Sequence, residues 1–414
     1  MLGYSGGMGF DTFGISILNF NPDSQLNITT TQEIPYGFDA ANVTMCDKEG
    51  NFQFSSNGVR VYNAEHKWMQ GGENLNENEN HGYILPQGVF ALPHPRDSNL
   101  YAFFHGRKGY GVRVTKTWYS EIDMRENEGL GAVTSMQPLV QDTLLFGQFT
   151  AVKHGNGRDW WILFQHYCLE REDCKNNFFY KVLLSPDGVE VSEQKITDGL
   201  ITETGAGQAT FTPDGSKYIA SQGDMFDEPA YIDIYDFDRC DGQLGNRVRI
   251  ETVVLDRGER ENGGIGGIAV SPNSRFLYFN TWKKIFQYDL WADDIKASEV
   301  VVAEYDGFVA TFPTGFLYPQ LAPDGRIYIC TTNSTRYLHV ILRPNEKGAL
   351  CRVVQHAIEL PTYNAFSIPN HPNYRLGAWE GSACDTLSDL VSTEWGREKM
   401  RDKVTVFRIL HLMR

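Results

Sequence analysis

Eight carboxylates on four loop-like stretches are the residues of this sequence best placed to do chemistry. HYCLEREDCKNN carries Glu170, Glu172 and Asp173, and QGDMFDEPA carries Asp224, Asp227 and Glu228. ITETGAG adds Glu203 and ERENGG adds Glu261. Carboxylates gathered so densely repel one another unless water, salt or a cation screens them. They suit a divalent cation such as Ca2+, or a basic ligand; a solvated acidic rim is the simpler reading of the same residues. No other cofactor is implied.

Further constellations compete with plainer readings. Gly3, Ser5 and Gly7 match the G-x-S-x-G of a nucleophile elbow, but no strand-then-helix surrounds them. Gly264, Gly266 and Ala269 match G-x-G-x-x-A, yet a strand and a turn, IAVSPNS, follow where a helix N-terminus would have to cradle a pyrophosphate. Close approach of backbones explains those glycines better. Asp236, Asp238 and Asp241 in YDFDRCDG resemble part of a Ca2+ loop, but Asp241 stands where an EF-hand needs glycine, so a polar turn is favoured. His154, Asp159, Trp160 and Trp161 could serve catalysis, although Trp and Asp beside a hairpin more often pack and hydrogen-bond. His94 and His105 have no acid or nucleophile tied to them by spacing.

The seven cysteines show no CxxC or Cys/His spacing of a zinc site and are too sparse for a disulfide scaffold. Cys168 and Cys174 bracket a short loop in which a local disulfide can close, against the alternative of two reduced thiols.

The elements that must carry these loops repeat. An apolar strand, a tight Pro-Asp-Gly type of turn and a β-branched or aromatic strand recur in VTMCDKEGNFQFSSNG, VFALPHPRDSNLYAFFHG, FTAVKHGNGRDWWILFQH, ATFTPDGSKYIASQG, GIAVSPNSRFLYFNT and YPQLAPDGRIYICTT. With Gly50, Asn99, Gly157, Gly215, Ser274 and Gly325 as turn markers, the intervals are 49, 58, 58, 59 and 51 residues. A third strand follows each phrase and a fourth follows most, for example VRIETVVLD and SEVVVAEYD. One four-stranded antiparallel sheet cannot bury both faces alone, and stacking such sheets radially solves the problem.

The expectation is therefore an all-β, seven-bladed β-propeller over residues 1–387. Six internal blades span about 40–361, and the seventh is built from 1–39 plus 362–387, with YNAFSIPN as its closing strand beside the N-terminal strands. Residues 388–414 read as a tail outside the ring. In such a ring the loops linking second to third strands, and those leading into each innermost strand, share one face. The acidic loops all fall there.

A formal net charge of −15, from 37 basic and 52 acidic side chains, argues against nucleic acid and anionic membranes as partners. No stretch approaches the ~20 apolar residues of a membrane span. The opening LGYSGGMGFDTFG lacks the basic start and apolar core of a signal peptide, and a truncated start is one explanation.

EGNFQFSSNGVRVYNAEHKWM, FTAVKHGNGRDWW, YDFDRCDGQLGN, LAPDGRIYI and PNYRLGAWEGSACDTL together resemble a family of secreted or surface propeller proteins from Bacteroidetes, over roughly residues 10–387. In that family PKD-type modules and a type IX secretion sorting domain usually follow the propeller. After Leu387 this sequence departs from that pattern, with a charged stretch and a final apolar strand. The resemblance implies an extracellular or cell-surface location and a non-enzymatic module that binds a protein or glycan, and it implies no catalytic residue; the propeller is expected to be monomeric. The rivals are a polysaccharide lyase or hydrolase with its site at the central channel, and a purely structural spacer.

Overall fold

The computed structural model describes residues 1–4, 13–20, 26–31, 34, 36–76, 82–111, 113–167, 177–196, 206–222, 231–251 and 266–386. They form a seven-bladed β-propeller of antiparallel sheets with almost no helix. The first sheet holds Leu2–Tyr4, Gly14–Phe20 and Leu26–Thr31, the strands expected before the repeats. The second holds Val43–Cys46, Phe52–Ser56 and Val61–Tyr62. The third runs through Val89–Pro93, Leu100–Lys108, Arg113–Asp123 and Ala132–Val140. The fourth to seventh are four-stranded meanders. Their innermost strands are Thr150–Lys153, Ala209–Phe211, Gly267–Val270 and Phe316–Leu321. Their outermost are Gly188–Lys195, Leu244–Glu251, Val300–Glu304 and Val353–Asn364.

Turn chemistry sets the hairpins. In the fifth sheet Pro213 presets φ, Asp214 Oδ1 accepts the Thr212 hydroxyl (2.6 Å) and the Ser216 N–H (3.0 Å), and Gly215 takes φ of +73°. Ser274 holds the matching place in the sixth sheet at φ +61°, and its hydroxyl accepts the Asp214 N–H at 3.0 Å, tying neighbouring turns together.

Between the turns, central strands such as Trp160–Gln165 and Phe276–Asn280 are buried along their whole length, as radial stacking demands. The core accordingly passes from sheet to sheet around the ring. Phe54, Phe90, Phe104 and Trp160 join the second, third and fourth sheets, and Trp161, Phe179, Tyr218 and Tyr235 the fourth and fifth. Ile234, Ile268 and Phe279 join the fifth and sixth, and Phe276, Phe316 and Ile329 the sixth and seventh. Leu2 packs with Leu317, Tyr328 and Leu360, and Ile15 with Phe38 and Tyr62, so the first sheet bridges the seventh and the second. The termini thus close the ring, and the Ser16 and Thr362 hydroxyls hydrogen-bond at 2.7 Å across the joint.

The closure differs in detail from the sequence expectation. YNAFSIPN does not add a strand to the first sheet: the strand ends at Asn364, which pairs with Thr335 of the seventh sheet. Pro369 and Pro372 beyond it lack the N–H groups that a ladder requires. The chain leaves the sheet there and runs into the hub.

Candidate functional site

An antiparallel meander gives the ring two chemically different faces. The upper face carries the connections into each innermost strand and the loops between second and third strands; the lower face carries the Pro-Asp-Gly type turns. The acidic residues Glu170, Glu172, Asp173, Glu203, Asp224, Asp227, Glu228 and Glu261 lie outside the described residues, as do Cys168 and Cys174. Among the described residues no cluster of three or more His, Cys, Asp or Glu could hold a metal ion.

Ser5, Gly7 and Gly264 lie outside the described residues, and the motifs that fall within them resolve as structural parts. Asp238 Oδ1 accepts the Cys240 N–H (2.7 Å), Asp241 Oδ1 accepts the Gln243 N–H (2.9 Å), and Asp236 pairs with Lys217 and Asn246, so these carboxylates build a polar turn. His154 sits against the Cys240 carbonyl at 2.8 Å, while Asp159 receives Asn156 and Arg158. Trp160 and Trp161 donate their indole N–H groups to the Pro93 and Arg239 carbonyls. Lys153 lies over Trp160, and burial lowers its pKa to about 8. His94 is buried against the Tyr119 hydroxyl at 3.2 Å, and His105 is buried in a stack on Trp118, with ring centroids 4.9 Å apart. Burial pushes the His105 pKa down to about 3. Of the two glycines of the fingerprint, Gly264 lies outside the described residues, and a Cβ at Gly266 would meet the Phe279 ring at 2.1 Å and the Asn280 carbonyl oxygen at 3.0 Å; at the adjacent Gly267 one would lie 2.4 Å from the Leu317 carbonyl oxygen.

The hub is filled. From Asn364 the chain passes down it as a strap that touches the innermost strand of one sheet after another. The Asn42 side-chain amide donates to Ser367 Oγ (2.6 Å), and the Asn370 N–H donates to the Asn42 carbonyl (3.0 Å). Asn370 Nδ2 donates to the Phe149 carbonyl at 2.8 Å, and the Tyr374 hydroxyl to that of Ala91 at 3.0 Å. On the lower face Leu376 lies over Gly215, Ala378 over Gly157, and the Trp379 N–H bonds the Gly155 carbonyl at 2.7 Å. The strap is then tied down by a disulfide between Cys384 and Cys240 of the fifth sheet.

Side-chain amides join the innermost strands to one another, because an amide carries one acceptor and a pair of donors and so stands in for a peptide group. Gln87 bonds both the N–H and the carbonyl of Ala209 at 2.8 Å, across the hub from third to fifth sheet. Gln208 donates to the Pro319 carbonyl (3.1 Å) and accepts the Ile268 N–H (3.0 Å).

The upper face holds a different set between the third and fourth sheets. Leu144–Gly147 pairs with the third sheet through Leu144 and Val114, and Leu144 also bridges to His166, so Asp142 is carried beside His166. His166 donates Nδ1–H to Asp142 Oδ2 at 2.8 Å, and the Tyr180 hydroxyl donates to the same oxygen at 2.8 Å. The other carboxylate oxygen accepts the Thr143 N–H at 2.7 Å. Phe178 stacks on the imidazole with centroids 4.6 Å apart, and Arg113 lies 5.5 Å from the Tyr167 ring. The carboxylate fixes ring orientation and tautomer, leaving Nε2 as the acceptor position. The side chains of Arg113, Asp142, His166, Tyr167, Phe178 and Tyr180 are half-buried, so a ligand on the upper face can reach them.

His166 opens the HYCLEREDCKNN stretch, in which the acids give the stronger sequence signal. The hub amides leave a periodic trace, a Gly-Gln or Gln-Gly pair just before innermost strands in PQGVF, FGQFT and AGQAT.

No known protein family matches the chain, and no curated protein matches it. Among solved structures, it is similar to a candidate 6-phosphogluconolactonase from Bacteroides uniformis, with 13% identity and a TM-score of 0.47 over 87% of this chain and 96% of that one. A functionally unknown protein from Desulfotomaculum acetoxidans gives 15% identity and a TM-score of 0.44, over 84% and 96%. A gluconolactonase from Xanthomonas campestris gives 12% and 0.36, over 72% and 84%. The propeller stands on its own strand pairing.

Proposed function

We propose that this chain is a non-catalytic binding propeller, one module of a larger secreted or surface protein, which takes a protein or glycan ligand on its upper face. The observation that carries this reading is the filled hub: strap and amides occupy the place where a propeller enzyme would gather its reacting groups, leaving the rim for contact with a partner. The Cys240–Cys384 disulfide supports an oxidising compartment, in line with the resemblance to Bacteroidetes surface propellers. Half-buried rings at His166, Tyr167, Phe178 and Tyr180 supply aromatic area beside fixed polar groups, the mixture that binding sites use. Ca2+ or a basic group on the partner would relieve the charge of the acidic stretches that the sequence carries.

A second reading is favoured by one observation. Asp142 holds His166 as a general base is held, so a lyase or hydrolase on the rim is the alternative. Immobilised neutral and acidic glycans separate the two. Intact glycans retained by the parent protein, and lost by a His166→Ala, Tyr167→Ala variant, support binding. Shortened or unsaturated products, read by mass spectrometry, support catalysis.

A further inference from the structure

We infer that Cys240–Cys384 is a redox-operated latch that holds the outer half of the strap on the lower face, and that a dithiol reductant opens it while the ring stays folded. The strap has two halves that are held differently. Its inner half, Ser367 to Tyr374, is bonded inside the hub through Asn42, Asn370 and Tyr374 to the second, third and fourth sheets. Its outer half lies on the surface: Arg375, Gly377, Trp379, Glu380 and Gly381 are all exposed. There the non-covalent ties to the ring among the described residues include the Arg239 guanidinium on the Gly377 carbonyl, the Trp379 N–H on the Gly155 carbonyl, and the packing of Leu376 and Ala378.

Three glycines make the track on which this half lies. A Cβ at Gly155 would stand 2.3 Å from Cys384 Sγ, one at Gly157 2.6 Å from the Ala378 nitrogen, and one at Gly215 3.0 Å from Leu376 Cδ2. Leu376 packs on the core of the fourth and fifth sheets, and beyond it, where the track is bare backbone, the covalent bond supplies the hold. Neither cysteine is buried, and the disulfide sits on a turn rather than inside a sheet, so a thiolate can reach it. The exchange balances in two steps. A thiolate of the dithiol attacks one sulfur, the S–S bond breaks, and the other cysteine leaves as a thiolate. The reductant's second thiol then resolves the mixed disulfide, so the dithiol is oxidised by two electrons and two cysteine thiols remain. The freed half opens locally, at a cost far below global unfolding, and uncovers the lower face of the fourth and fifth sheets.

Trypsin cleavage after Arg375 reads the latch directly. Intact chain is treated with dithiothreitol, alkylated and exposed briefly to trypsin, with the cut quantified by mass spectrometry and the fold followed by circular dichroism. Cleavage after Arg375 is expected to be about tenfold faster in the reduced protein, with the strand signal unchanged. A Cys384→Ser variant, which retains Cys168 and Cys174, is expected to be cut at the fast rate without reductant and to ignore it. Equal rates in oxidised and reduced parent would overturn the proposal. So would loss of the strand signal together with the strap, which would make the disulfide a staple of the whole ring.

Discussion

The Asn370 side chain donates to the Phe149 carbonyl at 2.8 Å although the residues stand 221 positions apart in the chain. That bond joins the strap to the entrance of the fourth sheet's innermost strand. It is made in the hub, where water is excluded and an unmade hydrogen bond is costly.

Asn370→Ala is therefore expected to destabilise the protein by about 1–3 kcal/mol, the cost of leaving the Phe149 carbonyl unpaired. Asn373→Ala is the control, because Asn373 is exposed and donates only to the Pro213 carbonyl at the surface; it is expected to stay within about 0.5 kcal/mol of the parent. Urea unfolding midpoints compare the two.

Two turn glycines separate backbone strain from contact with the strap. Gly50 and Gly157 have φ of +90° and +76°, yet an added Cβ meets nothing within 4 Å at Gly50 and lies 2.6 Å from the Ala378 nitrogen at Gly157. Gly50→Ala is expected to cost about 1 kcal/mol, the price of a left-handed residue. Gly157→Ala is expected to cost clearly more and to speed hydrogen exchange at Trp379; equal costs would show that the strap does not press on this turn.

The ring was legible because its information is local. Pro213-Asp214-Gly215 and Gly325 announce hairpins within four residues, and Ser274 takes the glycine place of the same turn at φ +61°. The strap was hidden for the opposite reason. Asn42 and Ser367 are 325 residues apart and Cys240 and Cys384 are 144 apart, and no spacing rule ties such partners together. YNAFSIPN has the apolar character of a strand, and the decisive residues are the prolines, Pro369 and Pro372, which remove donors. On the upper face, Asp142 and His166 meet only because Leu144 bridges the two sheets, a contact that the repeat pattern does not encode.

Buried imidazoles set a pH response. Burial lowers the pKa of His105 to about 3, and those of His339 and His371 to about 4, all below the ordinary value of 6.5. The unfolded chain therefore binds more protons than the folded one between those values and 6.5. The stability is fully present above pH 6.5 and is lost as the pH falls toward 4, by about 1.4 kcal/mol per pH unit for each histidine. Replacing His105 by Gln is expected to remove about one proton from the slope of unfolding free energy against pH; an unchanged slope would show that His105 titrates normally.

The acidic loops are expected to respond to Ca2+. Millimolar calcium should raise the melting temperature of the parent by mass action, and should do so less for a variant carrying Asp224→Asn, Asp227→Asn and Glu228→Gln. No shift, or equal shifts, would assign these residues to a solvated rim.

The filled hub bears the functional reading, and hydrogen exchange over residues 365–374 of the oxidised, intact chain tests it most directly. Threaded between the innermost strands, the Asn370 N–H on the Asn42 carbonyl and its neighbours are expected to exchange as slowly as the strand amides of Thr150–Lys153. Exchange of this segment within seconds, while the innermost strands remain protected, would contradict the account and return the channel to candidacy as the site of function.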